Sequence, residues 1–149
     1  MVKRTLIYGF TGLFFEILWT GFCSLIHGDM TMSAHTSFIM LPIYGMVVLL
    51  EPLFNIFRHY SLPPVLRGIF YAVLIFACEY FSGMALRLFG ICPWKYTGIF
   101  SINGLIRLDY APLWFTAGLV YERLYFYMLS HFYDKNTANQ LKGTVQKAH

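Results

Sequence analysis

Glu16, Glu51, Glu79 and Glu122 are the only glutamates in a chain of 149 residues, and each lies in a separate apolar stretch long enough to cross a membrane. A charged side chain at the bilayer centre costs about 2.5–3.5 kcal/mol on insertion scales, so acids at such depths need a reason. Repulsion and desolvation oppose four ionised carboxylates in one low-dielectric core. Each must find a proton, a cation or hydrogen-bond donors. Two chemistries fit: a proton- or cation-binding site on a transport route, or acids that pair helices with Arg87 and Arg123 as counterions. The metal, if any, is left unknown. Catalysis is not expected, because His27, His35, His59, His131 and His149 all lie at span ends or outside, with no base–nucleophile pair among the acids. Nor is a cofactor implied. Cys23 and Cys78 fall in apolar spans as small hydrophobes and Cys92 lies just outside one, so the three form neither a disulfide framework nor a metal cluster.

The elements that must position these acids follow from composition. The chain is 58% hydrophobic and 12% charged, where a soluble domain is about 25% charged. Its charges lie mostly between or beyond the apolar runs. This is an all-α, polytopic, integral membrane protein. The net charge of +4 reads as an orientation signal and a contact with lipid headgroups, not as a nucleic-acid surface.

Four spans are expected, at 5–26, 37–57, 65–89 and 110–130, each long enough for a hydrocarbon layer of about 30 Å. They form a four-helix transmembrane domain over 1–133, followed by a polar, disordered cytoplasmic tail over 134–149. The first span is longer than a signal-peptide core, carries Glu16 near its middle and lacks a small-residue exit, so it reads as a retained helix. Pro52 removes a backbone donor and frees the Val48 carbonyl, which predicts a kink or early unwinding beside Glu51. The run Arg58-His59-Tyr60-Ser61-Leu62-Pro63-Pro64 stops the second span. Between the third and fourth spans, Cys92, Pro93, Trp94, Lys95 and Tyr96 belong to an interfacial loop, re-entrant or with a short helix, and Asp109 is placed to cap the fourth helix.

Lys3, Arg4, Arg58, Arg67, Lys135, Lys142 and Lys147 would share one side, which puts both termini in the cytoplasm. Two hairpins share an order of small-residue face, mid-helix acid, early proline and late acid, which suggests two parallel repeats. On the first span Gly9, Gly12 and Glu16 form one stripe, expected to face the Gly68, Ala72 and Glu79 stripe of the third. Membrane lipids are the certain contact of such a fold, with other membrane subunits or a second copy as further partners.

Several stretches together carry a family resemblance: Tyr8-Gly9 with Glu16, Ile43-Tyr44-Gly45 with Glu51, and Glu79-Tyr80-Phe81-Ser82-Gly83. Cys92-Pro93-Trp94-Lys95-Tyr96, Gly104-Leu105-Ile106 and Tyr110-Ala111-Pro112-Leu113-Trp114-Phe115 follow. From about Tyr8 to Phe132 the chain resembles the vertebrate transmembrane protein 229 family, part of a wider group with bacterial members labelled as type IV ABC-transporter components. The resemblance implies a multi-pass membrane protein without an established activity. Lys95 stands where that family usually has Asp, so any cation-binding or turn-capping role of that acid is lost or reversed here. The chain has no nucleotide-binding Gly-rich loop followed by Lys-Ser or Lys-Thr, so any ATPase would be a separate subunit. A small transporter or transport-accessory protein and a structural or assembly factor both remain open.

Overall fold

The structure, a computed structural model, describes residues 1–132 and is mostly helical. The expected tail over 134–149, with its three lysines, lies outside the described residues. Helix α1 spans Val2–Ile26, α2 Met40–Gly45, α3 Glu51–His59, α4 Pro64–Leu88 and α5 Ala111–Phe132. A 3-10 segment, Met46–Leu50, joins α2 to α3. It ends one residue short of the Glu51-Pro52 pair, where proline cannot donate to the Val48 carbonyl and the α-helical ladder cannot run through.

The same stop closes α1, α3 and α4. After α1, Gly28 adopts φ +92° and donates to Leu25 O at 3.0 Å, while Asp29 N reaches Ser24 O at 3.0 Å. After α4, Gly90 adopts φ +70°, and the Gly90 and Ile91 amides return to Arg87 O and Leu86 O. These 6→1 and 5→2 bonds satisfy carbonyls that a helix end leaves bare, and the left-handed residue between them favours glycine. Ser61 does the same work after α3 without being glycine, at φ +49°.

The described chain divides into two units, Met1–Leu50 and a second that starts at Glu51. The division falls inside the second apolar segment, at the 3-10 stretch.

In the first unit α1 packs on α2 through small residues. A Cβ on Gly9 would come within 2.8 Å of Leu41 Cδ1, one on Gly12 would overlap the Tyr44 ring, and one on Gly45 would meet Thr5 Cγ2 at 2.8 Å. Close backbone approach of this kind is how helices associate where burial from water gives no drive. The Gly9–Gly12 face therefore meets α2.

In the second unit Phe54, Tyr71 and Tyr125 form the core, with ring centroids 5.2 Å apart for Phe54–Tyr71 and 5.6 Å for Phe54–Tyr125. Tyr71 and Phe54 are fully buried. Gly118 of α5 sits against Tyr71, and Gly68 of α4 against the Phe115 ring.

The loop after α4 holds a short antiparallel hairpin, β1 Ser101–Ile102 with β2 Ile106–Arg107, in register Ser101↔Arg107 and Ile102↔Ile106. Asn103 and Gly104 both take positive φ, +52° and +67°, and Leu105 N closes the turn on Ile102 O at 3.0 Å. Asn-Gly is the pair that tolerates this conformation best, and it turns an expected irregular loop into a hairpin. Asp109 does not cap α5. It falls in a 3-10 turn, Leu108–Tyr110, with its carboxylate taken by Arg107 through Nε at 2.9 Å and Nη2 at 2.6 Å.

Among the described residues, three helical segments are long and apolar enough to cross a membrane: Val2–Ile26, Met40–His59 and Pro64–Leu88. Helix α5 has 22 residues but carries Glu122 and Arg123 side by side near its centre. Phe10, Phe14, Phe22, Phe70, Val73 and Phe81 are exposed on α1 and α4. Such outward apolar faces suit lipid, where a soluble monomer would have to bury them.

Candidate functional site

Each expected acid has a distinct setting. In the first unit, Thr36 donates its hydroxyl to Glu16 Oε2 at 2.6 Å. Tyr44 is a second side-chain hydrogen-bond partner of Glu16, brought there by the α1–α2 contact beside Gly12. Thr20, one turn on, donates to the Glu16 carbonyl at 2.8 Å and accepts the His35 amide at 3.2 Å. The extended segment before α2 is thus stitched to the middle of α1.

In the second unit, Glu122 is 4% exposed and has both carboxylate oxygens engaged. Arg67 Nη1 donates to Oε1 in an ion pair, and the Tyr71 hydroxyl donates to Oε2 at 3.0 Å. Arg67 and Tyr71 lie four apart, on one face of α4. The cation at Glu122 is therefore Arg67, not the expected Arg87 or Arg123. Arg87 gives Nη1 to the Asn103 carbonyl at 2.8 Å, holding the hairpin turn. Arg123 lines an open cavity together with Arg58, Arg67, Glu122 and Phe126. Glu51 is buried at 7% exposure, and its main-chain oxygen accepts from Asn55 Nδ2 at 3.1 Å. Asn55 also donates to the Tyr125 hydroxyl at 2.7 Å, tying α3 to α5.

Glu79 meets the loop. Tyr96 donates its hydroxyl to Glu79 Oε1 at 2.7 Å, and its amide bonds Gly104 O at 2.9 Å. Trp94 donates Nε1 to Leu105 O at 3.0 Å, with its ring against Gly83. The Cys92 thiol donates to Trp94 O at 3.3 Å, while Pro93 and Lys95 are exposed. The expected interfacial loop is thus a cap that folds back onto the last turns of α4. Tyr96 and Tyr110 stack edge to face at 5.6 Å, and Tyr110 leads on to Trp114 at 6.5 Å.

Two acids outside the spans are strongly held. Hydroxyls of Thr31, Ser33 and Ser24 and the Thr31 amide keep the Asp29 carboxyl well below the usual carboxylate range. The Arg107 guanidinium does the same, to a lesser degree, for Asp109.

Arg67, Tyr71, Thr36 and Tyr96 are partners that sequence reasoning did not assign to the acids. Arg67 carried a usable signal, since a lone cation just inside an apolar span needs a counter-charge. Thr36 carried none, because polar residues are ordinary in a connection. Among the described residues, no three His, Cys, Asp or Glu side chains gather into a group that could hold a metal ion.

No solved structure matches the chain. Residues 5–146 match the family described as "Putative ABC-transporter type IV", and with nearly its whole length covered the chain belongs to that family.

Proposed function

We propose that the chain is a non-enzymatic membrane subunit of an ABC-type transport assembly, in which the glutamates hold helices and loops together. Within the family, the Cys92-Pro93-Trp94 stretch and its neighbours favour the transmembrane protein 229 branch. Helix α5 serves as the fourth span: its Glu122 is paired with Arg67, so neither charge stands alone in the apolar layer. The basic bias places both termini and the connection after α3 in the cytoplasm. Lipids cover the exposed phenylalanines. Nucleotide hydrolysis belongs to a separate subunit.

The observation that carries this reading is the partnering of Glu122, with one oxygen on a guanidinium and the other on a phenol. An acid so engaged is a tie between α4 and α5, not an open ligand. A second reading, a proton or cation site, is favoured at Glu16 and Glu79. Their hydroxyl partners, Thr36 and Tyr96, can donate to a carboxylate or accept from a carboxylic acid, so the acid can change state without losing its bond.

Purifying the full chain from its native membrane in mild detergent, with mass spectrometry of what accompanies it, tests the subunit reading. A stoichiometric ATP-hydrolysing partner is expected. A chain that leaves native membranes alone under every extraction condition contradicts it.

A further inference from the structure

Arg58 near the end of α3, Arg67 in the first turn of α4 and Arg123 of α5 converge on one open cavity of about 430 Å³, closed on its other sides by Glu122 and Phe126. That volume falls in the range of small-ligand sites, about 300–1,000 Å³. Three guanidiniums against one carboxylate leave two positive charges there. Glu122 is already spent on Arg67 Nη1 and the Tyr71 hydroxyl. Arg58 lies over the Phe126 ring, 4.6 Å from its centroid, which holds the guanidinium in place without using its N–H donors. Arg123 has no hydrogen bond or ion pair among the described residues. Like charges gather at a cavity at a cost, and an anion bound between them repays it. Planar guanidinium forks match phosphate oxygens bidentately.

We propose that this notch binds a phosphate group, presented by an anionic phospholipid whose acyl chains lie along the exposed apolar side of α4. Phe70, about one turn on from Arg67, is exposed, and Ile69 and Val73 continue the exposed apolar side of α4 beyond it, which offers the chains a surface within reach of a headgroup at the arginines. Basic pockets between membrane helices take headgroups in this way. Arg58 and Arg123 supply the free forks, and Arg67, fixed by Glu122, sets the floor. A soluble phosphate would use the same forks but not the apolar surface.

The full chain, purified in detergent and delipidated, is titrated with short-chain phosphatidylglycerol, with phosphatidylcholine and with inorganic phosphate. Binding is read by native mass spectrometry. Phosphatidylglycerol is expected to bind and phosphatidylcholine to bind far more weakly. Affinity should fall about tenfold for each guanidinium lost in Arg58→Gln and Arg123→Gln, since charge-assisted hydrogen bonds are roughly twice as strong as neutral ones. In parallel, phosphatidylglycerol should protect Arg58 and Arg123 of the unaltered chain from an arginine-selective reagent, a readout that needs no variant to fold. Inorganic phosphate giving equal protection at similar concentration would support the phosphate site but overturn its lipid source. Unchanged binding in the double variant, together with no protection by either probe, would overturn the site.

Discussion

The Tyr96 hydroxyl donates to Glu79 Oε1 at 2.7 Å, joining the loop after α4 to a carboxylate more than two turns inside that helix. The bond fixes the loop's position, because the neighbouring Trp94 ring rests against Gly83 and the Tyr96 amide is held by Gly104 O. Removing only the hydroxyl, in Tyr96→Phe, leaves the ring and its contact with Tyr110. We expect a loss of about 1–3 kcal/mol, the cost of depriving a part-buried acid of a donor. Hydrogen exchange should rise over Trp94–Arg107 while α1 is unchanged. Equal protection in both proteins would show that the tie is idle.

Gly118 abuts the Cβ and ring of fully buried Tyr71, with Cγ 2.9 Å from where an added Cβ would lie. A clash with an atom so near the backbone cannot be relieved by rotating the ring away. Overpacking costs about 1–3 kcal/mol, against a helix-propensity gain of about 0.8–1 kcal/mol. Gly118→Ala should therefore lower the thermal midpoint in detergent. Val120→Ala, on an exposed position of the same helix, should stay within about 0.5 kcal/mol of the parent. Gly118→Ala at or above the parent's midpoint would mean that α4 and α5 do not meet there.

Asp29 organises the connection between α1 and α2 by accepting from Ser24, Thr31 and the Ser33 amide. Its carboxyl is held below the ordinary value near 3.9. A depressed acid contributes its stabilisation fully above the unfolded value and loses it as pH falls toward the folded one. Proteolysis of residues 28–36 should therefore be slow at neutral pH and accelerate only below about pH 4. Asp29→Asn should make cleavage fast at neutral pH and flatten the profile. A variant that keeps the parent's acid-induced acceleration would remove Asp29 as its cause.

The helices were legible from apolar length alone, because a single run of about 20 apolar residues satisfies its own backbone in hydrocarbon only as a helix, while a barrel strand needs about 10 residues and paired neighbours. The unwinding beside Glu51 was legible too, since Pro52 dictates which carbonyl loses its donor. The hairpin was written in Asn103-Gly104, but turn formers in an interfacial loop also suit irregular chain, and the pair was read that way. Helix-to-helix pairing was not legible. The Gly9–Gly12 stripe specifies close approach, not the partner, and Leu41 and Tyr44 filled it. The same limit hid Arg67 from Glu122, because 55 positions separate residues that only the antiparallel packing of α4 and α5 brings together.

The central claim is that the glutamates of the apolar segments act as hydrogen-bonded ties. Glu16→Gln and Glu79→Gln keep an amide oxygen for Thr36 and Tyr96, whereas Glu16→Leu and Glu79→Leu keep only the volume. Thermal unfolding of the four variants in one detergent compares them directly. We predict the Gln forms within about 1 kcal/mol of the parent. Glu79→Leu should be lower by a further 1–3 kcal/mol, roughly the cost of stranding the part-buried Tyr96 hydroxyl, and Glu16→Leu lower by less, because Thr36 is exposed. Leu variants as stable as the Gln variants would contradict the account.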